Sequence, residues 1–430
     1  MTTTAFVTAL LFALLAIGIP VAFALVVSGA LGLYLIGGWD TMIGVLSTAP
    51  LSTAASYELI SVPLFILMAE FVIMSGVADN LFKAAATWVG RVPGGLGMAT
   101  ALAGAGFGAI SGSSTAAAAT LSSTTMPAML KQGYDPKLAG GVVAISGTLA
   151  MLIPPSIALV LYGIIADVSI SALLIGGVIP GILVTLVIMA TVWVLVLIDP
   201  TSAPRGQAYG MRAKLASLKV VGPMLFLFMA VTGVIYTGIA TPTEASGLGA
   251  FGAFLIALWE RKVTRAALAQ ALVHAAHASC MIIMIIVCAK IFGYFFTLTQ
   301  STQSLVAWVS SLEASRWAIL GMILLGYLIL GCLMDQVAIL ILTVPIVLPL
   351  VKALGFDPVW FGVIVIVMAE VGLVTPPVGL NVFVVARYAK RPLAEIFRGV
   401  WPHVFAHLLL VGVLVAFPQI ILWLPSRMGP

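Results

Sequence analysis

The chain has 430 residues, of which 62% are hydrophobic and 8% charged. An ordinary soluble domain carries roughly 25% charged residues, and a water-exposed surface cannot hide an apolar excess on this scale. A soluble enzyme and a secreted module are thereby excluded, and the chain reads as a polytopic helical protein of a lipid bilayer. Its formal charge of +5 lies in loops between apolar runs, which points to membrane topology and not to nucleic-acid binding.

In chain order, the apolar runs between breakers predict spans near 4–18, 20–36, 59–76, 138–168, 171–198, 220–238, 242–259, 278–298, 359–390 and 401–424. The first has neither the basic start nor the small-residue exit of a cleaved signal peptide, so it reads as a retained span. Two more apolar stretches, 94–131 and 315–352, carry a break at their centres. The breaks are Ser111-Gly112-Ser113-Ser114 and Gly331-Cys332-Leu333-Met334-Asp335. Half-length helices meeting at such a break form a re-entrant hairpin. Amphipathic segments at 79–91 and 301–313 read as surface-lying arms.

If both hairpins enter and leave on one side, most basic residues share one face. These are Lys83, Arg91, Lys131, Lys137, Arg205, Arg212, Lys214, Lys219, Arg261, Lys262, Arg265, Arg387, Lys390, Arg391 and Arg398. The positive-inside tendency makes that face cytoplasmic and puts both termini outside. Treating either hairpin as a full span destroys the bias.

Prolines reveal a repeat. Pro20/Pro242, Pro127/Pro349, Pro136/Pro358, Pro154/Pro376, Pro155/Pro377 and Pro180/Pro402 all stand 222 positions apart. Gly133-Tyr134-Asp135-Pro136 matches Gly355-Phe356-Asp357-Pro358 at the same offset, with Asp as N-cap and Pro as first helical residue. The division is 1–198 for the first copy, 199–219 for a cytoplasmic linker and 220–430 for the second. Each copy holds five spans and a hairpin. Five is odd, so the second copy is inverted relative to the first, as in many secondary transporters. The expected fold is an all-α polytopic membrane protein with an inverted-topology repeat, about ten spans and two re-entrant hairpins.

Within spans 138–168 and 359–390, Ile153-Pro154-Pro155-Ser156 and Thr375-Pro376-Pro377-Val378 interrupt helical runs. Paired prolines remove two amide donors and free carbonyls that a bilayer cannot satisfy. A tip and a break together offer an oxygen cage suited to a hard cation such as sodium. The alternative is that the prolines only kink the helices. By position, the first cage draws on Gly108, Ser111, Ser113, Ala150, Ile153 and Pro155. The second draws on Gly331, Gly372, Thr375 and Val378, with Thr375 as the side-chain ligand. The tip serines have a rival reading as plain helix caps. Helix N-termini after Ser114 and after Asp335 suit an anionic substrate group.

No residue grouping suggests an enzyme. Asp335 at a tip is the leading functional carboxylate, while Glu70 and Glu370 divide between structural and transport roles. Cys280, Cys288 and Cys332 read as buried inert thiols. His274/His277 and His403/His407 read as interfacial side chains near helix ends, not metal ligands.

Together, Ala109-Ile110-Ser111-Gly112-Ser113-Ser114, Gly133-Tyr134-Asp135-Pro136, Ile153-Pro154-Pro155-Ser156 and Thr375-Pro376-Pro377-Val378-Gly379 resemble the large membrane subunit of tripartite ATP-independent periplasmic (TRAP) transporters. The resemblance spans essentially the whole chain. It implies a sodium-driven elevator importer of organic acids (dicarboxylate, sialic acid or similar carboxylates) in the bacterial inner membrane. A periplasmic solute-binding protein would deliver the substrate, and a small four-helix membrane subunit would be a separate chain. Sodium is the coupling ion and no cofactor is expected; the surrounding partner is membrane lipid. The substrate is expected on Ser113, Ser114, Ser156, Asp335, Pro377 and Asn381. Ala150 stands where the resemblance leads one to expect glycine. The rival is a stand-alone dicarboxylate symporter coupled to sodium, or to protons through Asp335 and Glu370.

Overall fold

The computed structural model describes residues 2–310 and 314–428. The first repeat comprises α1 (Thr2–Ala16), α2 (Val21–Ala54), α3 (Ser61–Ser75), α4 (Val77–Val89), α5 (Gly95–Ser111), α6 (Ser114–Thr124), α7 (Met126–Lys131), α8 (Pro136–Thr148), α9 (Ile157–Ala166) and α10 (Ile170–Ile198). The second comprises α11 (Met211–Tyr236), α12 (Pro242–Trp259), α13 (Arg265–Leu298), α14 (Ser301–Ser310), α15 (Arg316–Leu333), α16 (Gln336–Ala353), α17 (Pro358–Gly372), α18 (Leu380–Ala389) and α19 (Leu393–Ala416). The order repeats element by element, except that Pro127 sits beside a break between α6 and α7 where α16 runs on through Pro345 and Pro349.

Local geometry repeats as well. Asp135 and Asp357 both cap the helix that follows, with their carboxylates accepting backbone N–H groups. Gly133 and Gly355 just before them both take positive φ, 87° and 77°, which only glycine adopts freely. Ser113 and Asp335, again 222 apart, cap α6 and α16. Both Pro-Pro bonds, 154–155 and 376–377, are cis.

Packing divides the helices into two bodies. In one, α2 lies along α13, and its symmetry counterpart α12 lies along α3, with α3 against α13 at the centre. Each repeat thus grips the other. In the second body, α6 of hairpin one packs on α18 of the second broken span, and α16 of hairpin two packs on α9 of the first. Large buried rings weld this body, Tyr162 across the repeats and Trp360 within the second repeat. The Tyr162 hydroxyl donates to the Pro358 carbonyl at 2.8 Å, and the Trp360 indole N–H donates to Leu414 at 3.2 Å. Each ring thereby buries its apolar area and still satisfies its polar tip.

Hairpin two is antiparallel: the hydroxyls of Tyr327 and Thr343, eight residues either side of the tip, hydrogen-bond at 2.7 Å. Eight described helical segments are long and apolar enough to cross a membrane, and α15 and α16 are among them. The broken spans are instead built from short halves, α8 with α9 and α17 with α18.

Several expectations are corrected. α2 does not stop near residue 36 but continues to Ala54 through a kink at Gly38 (φ 72°). α13 begins at Arg265, well before the apolar run at 278, and α11 begins at Met211 inside the expected linker. Apolar runs mark only the length that prefers hydrocarbon, whereas helices continue as far as their backbone bonds allow. His403 and His407 are not interfacial: both are fully buried, because α19 packs along α8. Cys280 is exposed, unlike Cys288 and Cys332. The arms appear as α4 and α14, and 311–313 of the second lies outside the described residues.

Candidate functional site

The hairpin tips and the helix breaks meet as the repeat demands. In the first unit α5 ends at Ser111, Gly112 turns the chain at φ 56°, and Ser113 caps α6. The backbone of Gly108 presses on that of Ala150, so close that a Cβ on Gly108 would fall 2.9 Å from the Ala150 Cα. The expected glycine at 150 is therefore unnecessary, since Gly108 alone makes the approach possible. In the second unit both partners are glycines: a Cβ on Gly372 would lie 2.5 Å from the Gly331 Cα. The Gly379 N–H also donates to the Cys332 carbonyl at 3.2 Å, tying the break to the tip.

The freed carbonyls can now be counted. Among the described residues, the carbonyls of Leu152 to Pro155 and of Val374 to Val378 accept no hydrogen bond. The last carbonyls of α15, including Gly331, lie beyond the reach of helical donors. Thr375 donates its hydroxyl proton to Val371 at 2.6 Å, which leaves the oxygen lone pairs of that hydroxyl available. Oxygens without donors, packed beside backbone-to-backbone contacts, are the ligand set a hard cation takes.

Between the two bodies lies a cavity of about 630 Å³ that contains both tips. Ser111, Gly112, Ser113, Thr115 and Asp335 line it on the hairpin side. Pro20 to Phe23, Ile66, Ala69, Glu70 and Ile73 of α3, and Ala278, Met281, Ile282, Met284 and Ile285 of α13 form the facing wall. The cavity lining reaches the start of α2 at Pro20 and the second half of α3 at Ile73. Glu70 stands in this wall, with His274 Nδ1 3.6 Å from its carboxylate. A separate cavity of about 570 Å³, lined by Glu58, Asp167, Thr241, Lys290 and Tyr294, includes neither tip.

The expected site residues separate into groups. Ser111, Ser113 and Asp335 share the cavity. The Asp335 carboxylate accepts the Val337 N–H at 3.0 Å, and the Ser113 hydroxyl accepts the Ala116 N–H at 3.4 Å, so both are caps as well as cavity groups. Gly108 with Ala150, and Gly331 with Gly372 and Thr375, surround the tips. Ser114, Ser156 and Asn381 are fully buried and do not line the cavity. Ser156 is committed locally, donating to Met151 and accepting from Leu159 at 3.2 Å. Asn381 donates to the Ala144 carbonyl at 3.5 Å, while its side-chain oxygen has no partner among the described residues. Pro377 is exposed and Val378 half-buried, both away from the cavity, and Pro155 borders a small apolar pocket beside α11. Thr115 and the α13 wall were missed. Thr115 extends the serine run of the tip, which is a legible signal, but the wall is plain apolar helix and carries none.

Comparison with known proteins fixes the family. The family model described as "Tripartite ATP-independent periplasmic transporter, DctM component" matches residues 8–420. The chain belongs to the DctM family. This DctM-family chain is 35% identical over 379 residues to the C4-dicarboxylate TRAP transporter large permease protein of Pseudomonas aeruginosa, covering 88% of each. It is 32% identical over 419 residues to the isethionate TRAP transporter permease DctMQ of Oleidesulfovibrio alaskensis, covering 96% of this chain and 64% of that protein. The fold also matches the YdaH transporter of Alcanivorax borkumensis, with a TM-score of 0.66 at 14% identity over 95% of this chain and 98% of that one. The DctM-family chain is thus a large permease subunit and a multi-pass membrane protein.

Proposed function

We propose that this permease subunit imports a small organic acid across the bacterial inner membrane, driven by sodium, with the substrate handed over by a periplasmic solute-binding protein. The single observation that carries the reading is the cavity shared by both tips, with donor-free carbonyls at the break beside each tip. Helix ends at Ser113 and Asp335 supply backbone N–H groups to an anion, and the coupling cations at the breaks offset its charge. The relatives named for C4-dicarboxylate and isethionate support a small organic anion as the class of substrate. About a third of DctMQ lies outside the region matched here, which leaves room in that protein for a further membrane part of the kind a small partner subunit would supply.

In this reading the hairpin body moves as a unit against the body formed by α2, α3, α12 and α13. In the same reading, the cavity lining that reaches Pro20 and Ile73, next to the loops read as cytoplasmic, supports an inward-facing state. The test is uptake by the reconstituted transporter with the sodium gradient, the pH gradient and the voltage imposed separately. Uptake should follow sodium and require the binding protein. Uptake that follows the pH gradient in sodium-free buffer overturns the cation reading, and full transport by this chain alone in vesicles identifies a stand-alone symporter instead.

A further inference from the structure

A further cavity, of mixed polar and apolar lining, lies away from the tips, beside the linker and the basic residues Arg91, Lys131 and Arg205. Its volume is about 340 Å³, and Ala86 of α4, Leu96 of α5, Gln132 at the end of hairpin one, and Arg205, Gln207 and Tyr209 of the linker line it. The linker is strapped there by backbone bonds, Gly206 N–H to Gly90 at 3.1 Å and Asp135 N–H to Ser202 at 2.8 Å. Arg205 is exposed and has no acidic partner among the described residues. The nearby acids are already engaged, Asp199 by Thr201 and Asp135 by the Lys137 N–H.

The surroundings fix the depth of this cavity. Trp88 and Tyr209 are exposed beside it, 42% and 45%, and exposed aromatic rings of this kind sit at the headgroup level of a bilayer. The Lys214 ammonium lies over the Trp88 ring at 5.5 Å. From the cavity the exposed Met211 and Leu215 begin an apolar strip on α11. A guanidinium and two amides at headgroup depth, with a further cation nearby and an apolar strip leading away, match a phosphate attached to acyl chains.

We propose that this cavity binds the phosphate headgroup of an anionic phospholipid. Arg205 and Gln132 hold the phosphate, and the acyl chains run along α11. Because the cavity joins arm α4 to the base of hairpin one, a bound lipid fastens the moving body to the membrane surface at that joint.

The test uses the purified full chain in phosphatidylcholine vesicles, in the same vesicles with a minor fraction of phosphatidylglycerol, and in phosphatidylcholine with inorganic phosphate in the buffer. Retained phosphatidylglycerol per chain and the thermal midpoint are measured. Phosphatidylglycerol should raise the midpoint, and Arg205→Gln should weaken its retention about tenfold, the scale of one charge-assisted hydrogen bond. Arg205→Lys should restore part of the effect, and Gln132→Ala should lower retention without shifting the midpoint in phosphatidylcholine. Unchanged retention in Arg205→Gln overturns the site. So does a midpoint rise produced equally by inorganic phosphate, which would mean a soluble anion. Both readouts are independent of transport, so failure of the importer reading leaves them standing.

Discussion

The two hairpin–break units share one architecture and differ in how they achieve it. The second brings backbone to backbone through two glycines, Gly331 and Gly372, whereas the first manages with Gly108 against Ala150. The second caps its returning helix with the Asp335 carboxylate, and the first with the neutral Ser113. The second has Thr375 where the first has Ile153. Inversion therefore preserves where the chain turns and breaks while the chemistry of the two units diverges. The second unit is the tighter and carries the charge, whereas the first is richer in hydroxyls.

The largest effects should come from the contacts themselves. Gly372→Val and Gly108→Val each force a side chain into backbone at under 3 Å, and both should abolish reconstituted uptake, with a stability loss of about 1–3 kcal/mol or more. Ala150→Gly should leave uptake within about twofold, since it only removes a methyl group that the packing already accommodates. Equal damage from Ala150→Gly would break the comparison by showing that the first unit needs that side chain.

Next come the caps that face the cavity. Asp335→Asn keeps an oxygen for the Val337 N–H but removes the charge, and uptake should fall by roughly an order of magnitude. Ser113→Ala loses a long, weak cap bond of 3.4 Å and should cost about 0.5–1 kcal/mol of stability. Measuring uptake and thermal midpoint on the same preparations separates charge from capping. Equal uptake losses in the two variants would erase the distinction drawn between the tips.

The proposed cation ligand gives a smaller, more specific effect. Thr375→Val should raise the sodium concentration for half-maximal uptake several-fold, by roughly one oxygen contact of a hard ion, with the maximal rate largely kept. A sodium titration of uptake reads this directly, and an unchanged titration would remove Thr375 from the cage.

The outer caps should differ least. Asp357 accepts two N–H groups, from Val359 at 2.8 Å and Trp360 at 2.9 Å, while Asp135 accepts one, from Lys137 at 2.9 Å. Asp357→Ala should therefore cost toward ~2 kcal/mol and Asp135→Ala nearer ~1 kcal/mol, as thermal unfolding would show.

By itself, the sequence determined the inverted repeat, the hairpins, the two breaks and the arms. Prolines, glycines with positive φ and loop charges act locally, and a bilayer penalises each misplaced backbone group or charge heavily, so these signals cannot be diluted. Tertiary packing alone decided which of the named residues share a space. Ser156 and Asn381 look like Ser113 in the chain, yet the packing of α9 and α18 against the hairpins buries them, while Ser113, Thr115 and Asp335 reach the cavity. The same holds for the wall opposite and for His403 and His407. Their exposure depends on which helix lies alongside, and that is fixed by contacts between segments hundreds of residues apart, which no local pattern encodes.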